Sequence, residues 1–350
     1  MPSLLTGRVR LLTPLLIFLC HSPPKTHQSF FHDKIVTSID IAPNTNRIVT
    51  CSQDRNAYVW TFDGAQWKQT LVLLRINRAA TYVRWSPNED KFAVASGARA
   101  IAICYFEEDN DWWVSKHIKK PIRSTVLSVD WHPNNVLLAA GSADNKARVF
   151  SAYIKGVDKK PSPSPWGDKL PFNTVCGEFS SRGWVHGVAF SPSGDALAFA
   201  GHDASIHVVY PAPDQNPVVI TIETPSLPYL SLFWASENRI VAAGHDCAPA
   251  LFVTSNGQDW YLSGTLDQAK KKELGETSVI NKFRQIDSRG QAEADTDLNT
   301  THQNTITQIS PYAGTRDNVT HFSTSGVDGK LVIWEFDPSR VSAVLSDIRL

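Results

Sequence analysis

Paired cysteines, net charge and long hydrophobic runs are what this chain of 350 residues lacks. Its five cysteines, Cys20, Cys51, Cys104, Cys176 and Cys247, are odd in number and widely spaced, with no CxxC. That argues against a disulfide framework or a zinc site and fits a reducing compartment. Lysine plus arginine and aspartate plus glutamate both number 34. No global field therefore draws the chain to nucleic acid or anionic lipid, and any charge-driven contact must come from a local cluster. The longest apolar run is LLTPLLIFLC, Leu11–Cys20. Preceded by Arg8 and Arg10, it has the look of a signal peptide, yet at ten residues it is too short to span a bilayer, which takes about 20. GxSxG, P-loop and strand-to-helix GxGxxG motifs are missing too, so nucleophile-elbow and nucleotide-binding chemistries have no sequence support.

What is present is a repeat. Six segments align, starting at Val36, Thr81, Val126, Val185, Tyr229 and Ile306. Each opens with an alternating strand that ends in a bulky residue and a turn, often carrying proline (Pro43, Pro87, Pro133, Pro192). A near-continuous apolar run follows, such as VLLAAG (Val136–Gly141) or ALAFAG (Ala196–Gly201), then a polar turn and a second alternating strand. Apolar runs of that length, rich in Val, Ile, Phe and Trp, read as strands buried on both faces. A fourth, more variable strand follows several units: KQTLVLL, WWVSKHI, PVVITI. Four strands repeated at a period of roughly 45 residues are the signature of propeller blades. The fold class is all-β.

One acidic position recurs. Asp54 lies six residues before Trp60, Asp144 six before Phe150, Asp203 six before Val209, Asp246 six before Phe252 and Asp328 six before Trp334. A catalytic carboxylate is not needed five times around a ring, whereas a short acceptor for local backbone N–H groups is useful at every tight turn. In the second unit these places hold Ala98 and Cys104, so that hairpin manages without the carboxylate. His32 and His302 each sit four residues before the strand that opens their unit. Histidine there, aspartate at the turn and tryptophan in the third strand are the parts of a buried hydrogen-bonded network. GHDASIH (Gly201–His207) and GHDCAPA (Gly244–Ala250) gather His, Asp and Cys, but alternation along a hairpin splits their side chains between faces, and no metal site is expected.

Two insertions break the period. Residues 154–173, rich in proline and lysine, read as an exposed loop. Residues 265–301 are charged and nearly free of strand pattern. Within them Val279, Phe283 and Ile286 fall at i, i+4 and i+7, one apolar face of a short helix. That face either packs back on the propeller or projects to dock on a partner. The run Glu107, Glu108, Asp109 and Asp111 reads as a solvated hairpin tip. The most distinctive polar stretch is WWVSKHIKKPIRS, Trp112–Ser124, in which Lys116, His117, Lys119, Lys120 and Arg123 cluster. It is either a solubilising edge or, with Trp112 or Trp113 beside it, a patch for an acidic peptide.

The repeat resembles the WD40 family in a degenerate form, with tryptophan in the third strand only at Trp60 and Trp334. SQDRNAYVW, LRINRAATYVRWSP, NDWWVSKHIKKPIRSTVLSVDWHPNNVLLAAGSADNKARVFSAYIK, GWVHGVAFSPSG, AAGHDCAPALF and HQNTITQ carry a narrower likeness. From about His32 to the C-terminus the chain is similar to the WD40-repeat subunits of the actin-related protein 2/3 complex. The resemblance implies a seven-bladed propeller without catalytic activity, cofactor or metal. It implies as partners the other subunits of that complex, actin filaments and the acidic tails of nucleation-promoting factors, with no nucleic acid and no membrane span. The location it implies is the cytoplasm, at the cortical actin cytoskeleton. Lys116, Lys119, Lys120 and Arg123 would then face the promoting factor, and Val279, Phe283 and Ile286 would face actin or the actin-related subunits.

Six units are recognisable where the resemblance implies seven. Residues 1–31 show no turn aspartate and no alternating strand pair, and are expected to be an aberrant or unstructured segment, with the propeller spanning 32–350. The blade containing Trp334 should then lack its outer strand and two blade faces should lie uncovered. A misread first exon accounts for this better than a genuine truncation, because bare blade faces invite aggregation. Two other readings stand beside the leading one: a WD40 adaptor in another multiprotein assembly, and a secreted propeller hydrolase that would use the signal-like start and the sequons at Asn299 and Asn318. The scattered cysteines speak against the latter.

Overall fold

The computed structural model describes residues 32–159, 163–167, 170–212, 216–267 and 298–337. Strands form wherever apolar residues alternate or run together, and they assemble sequentially. The first sheet holds β1 (Val36–Ala42), β2 (Arg47–Ser52), β3 (Ala57–Phe62) and β4 (Trp67–Val72). The second holds β5 (Ala80–Trp85), β6 (Lys91–Ser96), β7 (Ala100–Glu107) and β8 (Trp112–Ile118). The third holds β9 (Val126–Trp131), β10 (Leu137–Ser142), β11 (Lys146–Ser151) and β12 (Val175–Ser180). The fourth holds β13 (Val185–Phe190), β14 (Leu197–Gly201), β15 (Ser205–Tyr210) and β16 (Val218–Glu223). The fifth holds β17 (Tyr229–Ser236), β18 (Arg239–Gly244), β19 (Ala250–Val253) and β20 (Tyr261–Thr265). The sixth holds β21 (Ile306–Gly314), β22 (Val319–Gly326) and β23 (Leu331–Glu335). All pairings are antiparallel neighbours, and the innermost strands β1, β5, β9, β13, β17 and β21 pack in that order. The chain is a six-bladed arrangement of the propeller type.

The hydrophobic core is divided among the seams between blades. Val49, Val59, Trp85 and Phe92 fill the first seam, and Ile101, Ile103, Trp131 and Phe150 the second. Val149, Phe179, Phe190 and Phe199 fill the third, Val208, Tyr229, Trp234 and Phe252 the fourth, and Phe233, Leu251, Ile306 and Phe322 the fifth. The second strands β6, β10 and β14 are buried along their whole length, because each is covered by sheet on both sides and by a blade on both faces. Across the axis, the Gln308 side-chain amide donates to the Tyr82 hydroxyl at 2.9 Å, tying blade six to blade two.

The sixth sheet has three strands among the described residues, so the blade containing Trp334 lacks an outer strand there. For blade one the expectation of an uncovered face needs correcting. On the outward side of blade one, Ile48 and Trp60 are buried and Ile39, Ile41, Tyr58 and Trp67 pack against them. On blade six, the residues cross-paired on the outward face are Ser325 with Leu331 and Ser323 with Ile333. That face is mostly polar, and its exposed apolar surface is confined to the edge strand.

The first insertion also differs from the exposed loop its composition suggests. Ile154, Trp166 and Leu170 are buried, and the Trp166 indole N–H donates to the Gly194 carbonyl at 2.8 Å. At its root, the fully buried Lys91 of β6 makes a close ion pair with Asp158 and lies 5.3 Å from the centre of the Trp131 ring. Asp158 also accepts the Ile154 N–H at 2.7 Å and the Asn135 amide at 2.9 Å. Removing one partner of such a pair leaves the other charge buried without compensation, which costs about 3–5 kcal/mol. Lys91→Met should therefore lower unfolding free energy by that order, measured by urea titration, although it preserves the volume of the side chain.

Candidate interaction surface

Each of the six turns between second and third strands contains one residue in the left-handed region: Arg55, Arg99, Asn145, Ala204, Cys247 and Gly329. In five of them the residue just before it is the recurring aspartate. Asp54 accepts the Asn56 N–H at 2.8 Å, Asp328 the Lys330 N–H at 3.1 Å and Asp203 the Ser205 N–H at 3.4 Å. These contacts are Asx turns, which hold a conformation that costs a residue with a Cβ roughly 1–2 kcal/mol. Two residues before the aspartate stands glycine or serine. A Cβ at Gly201 would lie 2.2 Å from the Asp203 carboxylate, whereas Ser52 caps the Asp54 N–H at 3.1 Å.

The carboxylates face outward to the chain entering their own blade. Asp54 takes the Asp33 N–H at 3.1 Å, Asp144 the Arg123 N–H at 2.9 Å, Asp246 the Leu227 N–H at 2.9 Å and Asp328 the Gln303 N–H at 3.0 Å. One propeller face is thereby built from six turns and the connections locked to them.

In blades one and six the network runs deeper. The His32 ring contacts Asp54 at 2.8 Å and Thr50 Oγ1 at 2.9 Å, and the Trp60 indole donates to Thr50 at 3.0 Å. His302, Asp328, Thr324 and Trp334 repeat the pattern, with Thr324 Oγ1 2.7 Å from both ring nitrogens that reach it. A carboxylate only accepts, so in the neutral imidazole Nδ1 carries the hydrogen and Nε2 accepts from threonine. Burial pushes the Asp328 carboxyl up, but the Gln303 N–H, His302 and Lys330 N–H outweigh it and hold it at about 2. The threonines escaped sequence reading; the signal was their spacing, four before the aspartate and ten before the tryptophan in both units. The other blades improvise. In blade three Arg148 grips Asp144 at 2.9 Å and Glu178 at 2.7 Å. In blade four the Ser205 hydroxyl lies 2.6 Å from Asp203 and 2.8 Å from His207, whose other nitrogen is 3.0 Å from Thr221.

The basic stretch joins β8 to β9. Lys116, Lys119, Lys120 and Arg123 are all exposed, while Ile118 and Ile122 between them are buried. The Lys116 ammonium lies 5.5 Å from the Tyr105 ring centre, and the His117 ring meets the Leu74 carbonyl at 2.8 Å. The aromatic pair does not join the cluster. Trp113 is buried against Trp85, Phe92 and Phe106. Trp112 is 52% exposed but opens β8, at the end opposite Lys119 and so about 20 Å away at strand rise. Glu107, Glu108, Asp109 and Asp111 surround a short 3-10 turn, Glu108–Asn110, at that distant hairpin tip.

Elsewhere on the turn face, Trp184 is 53% exposed and its ring lies 5.8 Å from that of His202, which meets the His186 ring through a 2.8 Å contact. Among the described residues no group of three or more His, Cys, Asp or Glu side chains converges as a metal site would require. Cys51, Cys104, Cys176 and Cys247 are free thiols; burial raises Cys51 to about 12 and Cys176 to about 11. Val279, Phe283 and Ile286 lie outside the described residues.

Residues 24–61 and 115–151 match the model of the WD domain, G-beta repeat, family. The chain is 56% identical to actin-related protein 2/3 complex subunit 1 of Schizosaccharomyces pombe, over 87% of this chain and 85% of that protein. It is 54% identical to subunit 1A-B of Xenopus laevis, over 89% and 85%, and 42% identical to subunit 1 of Saccharomyces cerevisiae, over 87% and 84%. This chain belongs to the actin-related protein 2/3 complex subunit 1 family. Within the subunit 1 family's WD40 frame, the five aspartates occupy turns.

Two outcomes follow. Thr324→Val removes the acceptor of the Trp334 indole and should cost about 1–3 kcal/mol in chemical denaturation. Burial, with the neighbouring His202 and His245, lowers His186 from 6.5 to about 4, and burial also lowers His132 and His207. At these histidines the folded chain binds fewer protons than the unfolded one, so their contribution to stability is fully present above about pH 6.5 and is lost as pH falls toward 4. Thermal melts across the window should show that slope, and His186→Asn should flatten it.

Proposed function

We propose that this chain is a non-catalytic scaffold subunit of the actin-related protein 2/3 complex, supporting nucleation of branched actin filaments and reception of acidic nucleation-promoting factors. The observation that carries this reading is its kinship with subunit 1 proteins over most of its length. The propeller supplies a rigid turn face, and Lys119, Lys120 and Arg123 project from it without a salt-bridge partner among the described residues. Such a cluster suits an acidic peptide, held by charge-assisted hydrogen bonds. Lys116 extends the same strand. The helix face carrying Val279, Phe283 and Ile286 serves as the arm toward actin or the actin-related subunits, and residues 32–350 form the propeller, with insertions at 154–173 and 265–301. The chain works in the cytoplasm, at the cortical actin cytoskeleton.

Affinity purification of the tagged chain should recover the two actin-related proteins; recovery of a different assembly without them would favour a general WD40 adaptor instead. Reversing Lys119, Lys120 and Arg123 to glutamate should weaken an acidic activator peptide about tenfold or more at low ionic strength, with the difference shrinking as salt rises. Unchanged affinity would reject the basic surface. Removing residues 265–301 should slow branching; an unchanged branching rate would reject the arm.

A further inference from the structure

Charge is segregated along blades one and two. Their turn face carries Lys34, Arg55, Arg75, Arg78 and Arg99, all exposed and none in an ion pair among the described residues. Backbone contacts fix their places. Ile35, next to Lys34, accepts the Gln53 N–H at 3.0 Å beside the turn that holds Arg55. Ala79, next to Arg78, accepts the Gly97 N–H at 2.9 Å beside the turn that holds Arg99. Arg75 lies in the connection between β4 and β5. The acids of these blades gather at the other end: Asp63 in the β3–β4 hairpin, Glu89 and Asp90 in the β5–β6 turn, and the acidic run at the β7–β8 tip. Among their described acids only Asp33 and Asp54 share the turn face, and Asp54 is taken up by His32 and by its own turn.

Apolar side chains stand out on the same face. Ile35, Leu73, Trp184, Leu227 and Val327 are each half exposed or more. They flank the turns: the Trp184 carbonyl accepts the His202 N–H at 2.8 Å, the Leu227 N–H reaches Asp246, and the Val327 N–H reaches the Thr305 carbonyl at 2.9 Å. We propose that the turn face is a docking surface for an anionic lipid bilayer. A bilayer offers negative charge over a plane, so cations spread along one face all come within its screening distance, about 8–10 Å, at the same time. The acids at the far ends of the blades stand about 20 Å back at strand rise and are screened from it. Exposed indole and aliphatic side chains suit the zone where headgroups meet acyl chains. An acidic peptide would occupy one strip of this face and leave unused the apolar residues of blades four, five and six.

Co-sedimentation of the full-length chain with phosphatidylcholine vesicles, with and without about 30% phosphatidylserine, tests this. The wild type should bind only the vesicles that contain phosphatidylserine, and binding should fall about tenfold or more as salt rises from about 0.05 to 0.3 M. Replacing Arg75, Arg78 and Arg99 together with glutamate should weaken binding at least about tenfold. Ile35→Ser with Trp184→Ser, which leaves the charge unchanged, should weaken it about threefold or more. Thermal melts establish that each variant is folded. Absence of binding to the anionic vesicles, or a folded arginine variant that binds them as well as the wild type, would overturn the proposal. So would an acidic peptide that binds the wild type and loses affinity in the arginine variant while the vesicles bind neither, since the surface would then belong to a peptide.

Discussion

The left-handed turn between second and third strands is the constraint on which the structure depends. Six times the chain reverses through one residue with positive φ, and only at Gly329 is that residue a glycine. Arg55, Ala204 and Cys247 have side chains that resist the conformation, and a carboxylate on the preceding residue compensates by accepting an N–H beyond the turn or from the incoming strand connection. At Asp54 and Asp328 the two oxygens of one carboxylate thus fix both the reversal and the angle at which the chain enters the blade. Blade two, with Ala98 in that place, keeps the backbone bond that every blade has there, from the Gly97 N–H to the Ala79 carbonyl, and adds one from the Ser96 hydroxyl to the Ala100 carbonyl.

Burial supplies the driving force but is distributed in slices. Each seam is filled by two blades, and apart from the small Ile48–Trp60 cluster of blade one no blade has a core of its own, so stability passes from neighbour to neighbour as in other repeat architectures. The polar outward face of blade six shows the consequence where no neighbouring blade stands among the described residues. Ser323 and Ser325 stand there, where an interior blade carries Val, Ala or Phe, and the apolar residues remain on the strand edge. The Lys91–Asp158 pair is the opposite case, a charge taken wholly inside the molecule to fasten an insertion to the underside of two blades.

Strands and turns were legible because their signals are local. Alternation, the proline after four of the six first strands and the spacing from Asp to the aromatic position all fall within one repeat. The parts that stayed hidden join residues far apart in the chain. Lys91 and Asp158 are 67 positions apart, and Trp166 finds Gly194 across 28. Arg148 was hidden for another reason: it is four residues from Asp144 and reads as an ordinary strand position until its side chain is seen to turn back. Composition misled on residues 154–173, since proline and lysine mark exposure of the backbone yet say nothing of the single tryptophan that anchors it. Adjacency misled on Trp112, because neighbours in sequence along a strand separate by more than 3 Å per residue in space.

The division between masonry and surface is less sharp than the repeat suggests. Asp144 holds the Arg123 backbone N–H at 2.9 Å, so the turn that shapes blade three also sets where the basic stretch ends. Left alone, that carboxylate would offer Arg123 and its neighbours an internal counter-charge and blunt any attraction for an acidic ligand. Arg148, buried and donating from one guanidinium nitrogen to both oxygens of the same carboxylate, satisfies it from below. The acid is then spent on structure, and the exposed lysines and arginine beside it keep their charge toward solvent. In a chain whose acids and bases are equal in number, a local cluster of bases stays effective only where the nearest acid is already paired, as Asp144 is with Arg148.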